Sequence, residues 1–528
     1  MSSWQVPFFE GTWTMKGFWL FELLLLNISV SLCMAEGAHP LDIWCTCGST
    51  TWISGEWTGN IEANFQIPVS TALNGWTLQL RFNQPVTQIQ LYKVPYDYGE
   101  VLKKSTRFYE AQRSGDLPND NRIDWRGDSA LNDGSDVGVD LTGGWYDAGD
   151  FVKFGFPMAQ SATILAWGLI EYQAAYEATC QLDIMRDSLR WVTDYFLKAH
   201  TAPNEFYAQV GDGVLDHNYW GRPEEMTMPR PSFKLTTSKP GSDVVGETAA
   251  ALAAASIAFK SSDASYSALL LSHAKELYTF ADTYRGKYSV SIPEAAEYYS
   301  STAYGDELAW AASWIYFASN EASYLTAAEN HYNSFNLHNV AWAFSWDDKE
   351  AGVQLLLYKL TSKSTYGNII QQFLDSWSPT GSVPYTPKGL AYRDKWGATR
   401  YAANSAFLAL VAADAGLKPS VNRGFSESQI NYMLGDGGQS FVVGFGKNPP
   451  NAPHHSSSSC PDLPAPCGWN EFSAPGPNPQ ILNGALVGGP DEFDNFVNDR
   501  TDYIYNEVTC DYNAGFQSAV AGLYTLYM

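Results

Sequence analysis

Residues 247–259 read ETAAALAAASIAF. Alanine and leucine are the strongest helix formers, so this stretch is close to an ideal helix sequence. Its many alanines leave little bulk at the surface of that helix, so neighbouring helices can approach closely. The segment is one of a series. From residue 98 onward apolar residues recur at helical spacing, beginning with Tyr98, Val101, Leu102, Phe108 and Tyr109 and stopped by Gly115. Further helices are expected near 158–178, 183–199, 243–260, 264–285, 304–319, 321–330, 350–359, 366–376, 399–415, 425–434 and 512–527. With the first they make twelve. Long loops rich in Gly, Pro, Asp and Trp separate some of them, and loops of that length in a compact protein usually carry function. Twelve helices suit six helix pairs closed into a barrel. The number alone also fits a helical solenoid, although no fixed-period repeat is visible.

Residues 50–94 differ. "TWISGEWTGNIEANFQIPV" and "GWTLQLRFNQPVTQIQLYKV" alternate apolar and polar residues with period two, and Asn74-Gly75 supplies a hairpin turn between them. A small β module is therefore expected before a boundary near Pro95. Upstream, Lys16 precedes the apolar stretch "GFWLFELLLLNISVSLCMA", and Cys33 and Ala35 are spaced like a cleavage site. Residues 1–35 read as a signal peptide cut after Ala35, with a signal anchor as the alternative. The protein is expected to be secreted, and no second apolar run is long enough to span a bilayer.

The 528 residues carry a net charge of −24, which argues against nucleic-acid partners and anionic membrane surfaces but does not repel a neutral polymer. Aromatics make up 15% of the chain, with 19 Trp and 31 Tyr, an excess that suits ligand-stacking surfaces or an aromatic core. Six cysteines would remain after removal of the signal. Of these, Cys460 and Cys467 flank a Pro-rich loop and form a natural local pair.

Three loop segments carry candidate chemistry. In "GGWYDAGDFVKF", residues 143–154, Asp147 and Asp150 precede a helix whose first turn holds Pro157. They either cap that turn or hold one water between them, each raising the other's proton affinity so that one becomes a usable base. In residues 484–516, Glu507 sits among Tyr503, Tyr505 and Tyr512. A carboxyl in such surroundings can keep its proton near neutral pH, as a general acid must; the alternatives are a solvated acidic loop or a calcium site. In "SFVVGFGKNPPNAPHHSSSSC", residues 440–460, His454 and His455 end a Gly/Pro loop, a weak metal signal that better suits hydrogen bonding to a polar ligand. Water activated by one carboxylate and a leaving group protonated by another is the chemistry of glycoside hydrolysis.

Taken together, "GGWYDAGDFVKF", "PGSDVVGETAAALAAAS", "YGDELAWAA", "FSWDDKEAGVQLLL", "SFVVGFGKNPPNAPHH" and "GALVGGPDEFDNF…YIYNEVTCDYNAGF" resemble, in order, the sequence blocks of glycoside hydrolase family 9, the secreted cellulases. The resemblance covers residues 95–528. It implies an all-α (α/α)6 barrel that hydrolyses internal β-1,4 linkages of glucans with inversion, with no cofactor for the chemistry and, as expected here, as a monomer. It implies that Asp150 is the general base, Asp147 its partner on the water, Glu507 the general acid and His454 an active-site histidine. Trp342 and Trp396 match glucosyl-stacking positions, and Tyr503 joins them as a substrate-binding candidate. A structural Ca²⁺ is implied near Thr302, the Ala303 carbonyl, Asp306, Glu307 and Asp347. Two positions depart from the family pattern, Ser456 for an arginine and Asn498 for an aspartate. Residues 42–94 resemble part of a family 2 cellulose-binding module through "WTGNIEANFQIPV" and "GWTLQLRF", with Trp52, Trp57 and Trp76 either stacking on glucan or filling a small core.

Overall fold

The computed structural model describes residues 94–528 throughout and, between residues 1 and 93, the backbone of eight strands. The expected cleavage point after Ala35, the Asn74-Gly75 turn, Trp52 and the side chains of Trp57 and Trp76 lie outside the described residues. The chain divides into two compact units, Met1–Tyr98 with Tyr524–Met528, and Gly99–Leu523.

In the first unit, β1 (Trp4–Gln5), β8 (Val86–Lys93), β3 (Leu26–Met34) and β6 (Ile61–Ile67) form one sheet in that order. A second sheet runs β2 (Gly11–Gly17), β7 (Trp76–Phe82), β4 (His39–Cys45) and β5 (Glu56–Trp57), and every pairing is antiparallel. The strands on either side of Asn74-Gly75, β6 and β7, belong to different sheets, so they do not form the hairpin that the dipeptide suggested. Alternation with period two tells which face of a strand is buried; it carries no information on which strand lies beside it.

The second unit is built on twelve long helices, one for each expected segment: α1 (Tyr98–Ala111), α2 (Gly155–Ala178), α3 (Leu182–Ala199), α4 (Ser242–Phe259), α5 (Ala264–Thr283), α6 (Gly305–Ser319), α7 (Ala322–Ser334), α8 (Glu350–Thr361), α9 (Ser364–Ser376), α10 (Ala398–Asp414), α11 (Pro419–Asn431) and α12 (Cys510–Leu526). The even-numbered helices form an inner ring in which α2 packs on α4, α4 on α6, α6 on α8 and α8 on α10. Small residues let the ring close. A Cβ on Gly515 of α12 would lie 2.0 Å from the Asn404 side chain of α10, and one on Gly168 of α2 would lie 2.3 Å from the Ser518 hydroxyl of α12. Helix α12 therefore joins α10 to α2, and the arrangement is a closed (α/α)6 barrel rather than an open solenoid.

Inner and outer helices differ as burial requires. In α4 every residue except Ile257 is buried, so the alanine-rich segment that opened the sequence reading has no solvent face. Its length and hydropathy would suit a membrane span, but the helix is 94% buried in the barrel. Outer helices are one-sided: α3 buries Met185, Leu189, Val192, Phe196 and Ala199, spaced three and four apart. Across the barrel interior, Trp167, Trp310 and Trp314 meet edge to face with centroids 5.4–5.6 Å apart, and Phe407 stands 5.2 Å from Trp167. Such aromatic pairs contribute about 0.5–1.5 kcal/mol each beyond their area. The charge at the start of α4 is also accommodated: Glu247 accepts from the Thr163 hydroxyl at 2.6 Å and lies 3.5 Å from Lys349, which is itself 3.4 Å from Glu307. All three are fully buried, and the Lys349 ammonium bridges the two carboxylates.

Short strands β9 (Lys153–Phe154), β10 (Phe206–Val210) and β11 (Ser232–Leu235) form a small antiparallel sheet next to the start of α2. The disulfide expected from spacing, Cys460–Cys467, is formed.

Candidate active site

Asp147 and Asp150 lie in the loop before α2, but neither caps it: the residue at the helix N-cap is Phe154, and no side chain bonds the first turn. The loop is held by backbone contacts. Asp147 donates its N–H to the Val152 carbonyl at 3.1 Å, and its own carbonyl accepts from the Cys510 N–H at 2.9 Å. The Asp147–Asp150 loop is thus fastened to the first residue of α12. Gly144 has φ +75°, and a Cβ there would lie 2.8 Å from the Tyr195 ring. At Gly149 a Cβ would lie 2.3 Å from the His454 carbonyl oxygen. Only glycine lets this loop lie against the His454 segment, and Ser456 ties the same place by donating its N–H to the Gly149 carbonyl at 2.9 Å.

The two carboxylates have different surroundings. Asp147 is buried; one oxygen accepts from the Tyr299 hydroxyl and the other has no partner. Burial, and then the neighbouring Asp150 charge, hold its pKa well above the usual carboxylate range. Asp150 is only half-buried, and its Oδ2 lies 3.3 Å from His217 Nε2. Asp216, next to His217, accepts the Phe151 N–H at 3.2 Å through Oδ1. Burial and the Asp150 charge push its pKa up to about 7.

Glu507 enters from the other end of the chain. Its strand-like backbone bridges that of His454, and its carbonyl accepts from the Gly488 N–H at 2.9 Å. Oε2 accepts from Trp396 Nε1 at 2.9 Å and from the Tyr512 hydroxyl at 3.2 Å. Burial, opposed by the Trp396 hydrogen bond and reinforced by the Asp150 charge, pushes its pKa up to about 7. A carboxyl so placed can hold a proton near neutrality and still release it. The His454 backbone thus touches both the Asp150 loop and the Glu507 segment. Its Nδ1 lies 2.7 Å from the Arg500 carbonyl, which can only accept, so Nδ1 carries the proton and Nε2 is left as an acceptor. Burial lowers the pKa of His454 and favours this neutral form.

Around these groups stand exposed aromatic faces. Trp396 and Tyr503, 42% and 53% exposed, have centroids 5.7 Å apart, and Tyr503 lies 6.2 Å from His454. Trp342, 50% exposed, packs edge-on against Tyr401 and has the Arg393 guanidinium 4.6 Å from its centroid. Trp220 flanks His454 at 5.1 Å. Large exposed indole and phenol faces suit stacking on sugar rings.

The two departures from the family pattern have structural roles. The Ser456 hydroxyl donates to the Gly221 carbonyl and accepts the Gly221 N–H, both at 2.8 Å, and so clamps the Trp220 loop. Asn498 accepts the Asn451 and Ala452 N–H groups at 3.1 and 3.0 Å, which holds the segment leading to His454. Asp499 bonds Thr501 within its own turn and so does not take the place of an aspartate at 498.

The residues expected to hold calcium are tied to one another pairwise. Asp347 accepts the Thr302 N–H at 2.8 Å, Asp306 accepts the Lys349 N–H at 2.7 Å, and the Ala303 carbonyl accepts from Ser301. Glu307 faces Lys349 through one oxygen and leaves the other buried without a partner. The set is all oxygen, as Ca²⁺ prefers, with one unpartnered buried oxygen on Glu307, but the ligand atoms of Asp306, Glu307 and Asp347 are not gathered within 4.8 Å of one another, so an ion would have to draw them together. Sequence reasoning missed Tyr299, His217, Asp216 and Trp220. Each sits far along the chain from Asp147 and Asp150, Asp216 at the end of a one-turn helix and the others in loops, and no local periodicity marks them.

The glycosyl hydrolase family 9 profile matches residues 98–520. The chain belongs to glycoside hydrolase family 9. This family 9 chain is 51% identical over 448 residues to Endoglucanase B of Cellulomonas fimi, an alignment spanning 82% of the chain but 42% of that relative. The chain thus spans less than half of that longer protein. A solved endoglucanase from the termite Nasutitermes takasagoensis is 57% identical with a TM-score of 0.81, covering 82% of this chain and all of that one. Endoglucanase CelQ from Clostridium thermocellum, complexed with cellobiose and cellotriose, is 41% identical with a TM-score of 0.73, covering 81% of this chain and 70% of that one.

The close approach at Gly149 yields a direct test of how the site is held. Gly149→Ala is expected to lower kcat/KM at least tenfold and to cost about 1–3 kcal/mol of stability, because backbone must move away from backbone. Circular dichroism should show the helices intact. Wild-type kinetics in this variant would mean that the contact does not position the Asp147–Asp150 loop.

Proposed function

We propose that the chain is a secreted endo-1,4-β-glucanase that cuts internal linkages of cellulose or related β-glucans with inversion. The observation that carries this reading is the pairing of Asp147 and Asp150 with Glu507 across the His454 segment, beneath exposed Trp396 and Tyr503. Asp150 takes a proton from water, whose oxygen bonds to the anomeric carbon. Glu507 gives its proton to the departing glycosidic oxygen as that bond breaks. Asp147, pushed toward its protonated form, steadies the same water. Inversion needs acid and base about 6.5–9.5 Å apart so that the water fits between sugar and base. The CelQ complexes with cellobiose and cellotriose support a β-glucan substrate. The signal-like composition of residues 17–35 supports secretion, although Leu26–Met34 of that segment forms strand β3, paired between β6 and β8. The acidic chain suits a neutral polymer, not a nucleic acid, and no membrane or partner subunit is needed for these steps. Proton NMR during early hydrolysis of cellotetraose is expected to show the α-anomer of the new reducing end first. Initial β-anomer would overturn the inverting mechanism.

The proposal includes a structural Ca²⁺ held by Thr302, the Ala303 carbonyl, Asp306, Glu307 and Asp347, which would neutralise mutually repelling carboxylates and fix the loop before α6. Chelation with EDTA is expected to lower Tm by several degrees, with full recovery on adding CaCl₂ but not MgCl₂, because Mg²⁺ demands a tighter octahedron. An unchanged Tm would remove the ion from the account.

A further inference from the structure

Among the described residues, one group of three His, Cys, Asp or Glu side chains brings its ligand atoms within 4.8 Å of one another: Asp150, Asp216 and His217. None of the three was expected to bind metal; the calcium set lies elsewhere. Asp216 is 2% exposed, and its Oδ2 has no hydrogen-bond partner, because Oδ1 takes the Phe151 N–H. Such a buried carboxylate oxygen calls for a cation or water, and here, unlike at Asp147, an imidazole and a second carboxylate stand within reach to share one. His217 Nε2 already lies 3.3 Å from Asp150 Oδ2, and its side chain is 46% exposed, so an ion has a path to the site from solvent.

The donor set decides the kind of ion. Calcium takes six to eight oxygens, whereas one imidazole with two carboxylates suits a borderline transition metal. Zinc binds such ligands at about 2.0–2.2 Å, which sets tetrahedral ligand atoms roughly 3.4 Å apart. His217 Nε2 and Asp150 Oδ2 already stand 3.3 Å apart, and the full set lies within 4.8 Å, so the exposed imidazole and the half-buried Asp150 would move inward to bind zinc. The fourth position would remain open to water.

We propose that Asp150, Asp216 and His217 form a site for a borderline divalent ion such as Zn²⁺, which blocks hydrolysis by occupying the lone pairs that Asp150 needs to accept a proton. The blocking effect rests on Asp150 being the base; the binding does not. The two therefore separate experimentally.

The test uses the whole protein with ZnCl₂. A zinc-edge anomalous peak in zinc-soaked crystals is expected between the three side chains, with calorimetric binding of one Zn²⁺ at this site. Hydrolysis of a soluble cellulose should fall with rising ZnCl₂ and recover on chelation and replacement of Ca²⁺, while MgCl₂ at equal concentration should have no such effect. Asp216→Asn keeps the oxygen that accepts the Phe151 N–H but removes the charge. It should raise the ZnCl₂ concentration for half-inhibition at least about tenfold. His217→Gln should do the same. Absence of zinc at this position in the wild-type crystal overturns the site, whatever the variants do. Inhibition that is unchanged in both folded variants overturns the role of Asp216 and His217. Zinc bound between the three side chains without loss of activity would confirm the site and instead overturn Asp150 as the base.

Discussion

Glu507→Gln is expected to lower kcat on cellulosic substrates by about 10²–10⁴-fold, the range for loss of a general acid. Gln keeps the shape and can still accept from Trp396 and Tyr512, but it has no proton to give. Two further readouts separate this from general damage. A cellobioside with a dinitrophenol leaving group needs little protonation, so its cleavage should fall far less. The alkaline limb of the wild-type pH profile should also disappear. In the wild type the acid must be protonated, and with its pKa raised to about 7, kcat/KM should decline as pH rises beyond about 7. The same shift has a stability consequence. A carboxyl with a raised folded-state pKa makes the native state bind more protons than the unfolded chain between about pH 4.5 and 7. Stability from this group is therefore lost as pH rises through that window. At pH 8 the Gln variant should melt above the wild type. Equal loss of activity on both substrate classes would remove Glu507 from the acid role.

Asp150→Asn should be as severe, about 10²–10⁴-fold in kcat, for the base rather than the acid. Asn can keep a contact to His217 but cannot take a proton from water. Binding of cellotetraose, measured by calorimetry, should stay within a few-fold of wild type, because the stacking faces at Trp342, Trp396 and Tyr503 are untouched. Asp147→Asn is expected to cost less, since its carboxyl is already driven toward the neutral form by burial and by Asp150. A reversed order of severity would move the base to Asp147.

The sequence was most legible where periodicity is long. Each of the twelve helices from 98 to 526 has enough turns for its apolar spacing to register, and each appears in the structure. The four-residue helices Gly213–Asp216, Tyr288–Ser291, Pro293–Ala296 and Trp469–Phe472 went unread, because one turn cannot display a period. The site was legible where chemistry is concentrated locally: two aspartates in a glycine-broken loop, and a glutamate among tyrosines. It was illegible where partners come from other loops. Nothing near Tyr299 announces that its hydroxyl meets Asp147, and nothing near His217 announces Asp150. Ser456 reads as a lost arginine in sequence, but in space it is a clamp on Gly221, a role only the folded loop pair could reveal.

The inner ring closes through α12, and Glu507 lies three residues before that helix begins, while the Asp147 carbonyl is bonded by the first residue of α12. Glu507 and the Asp147–Asp150 loop are therefore held together only when the ring is sealed. A chain still emerging from the ribosome carries eleven of the twelve helices before α12, but it lacks the Cys510 N–H that fastens the Asp147 loop, and Glu507 emerges only just ahead of the closing helix. With the roles proposed for these residues, the order of the chain sets when activity can begin: the site is complete only once synthesis has passed α12.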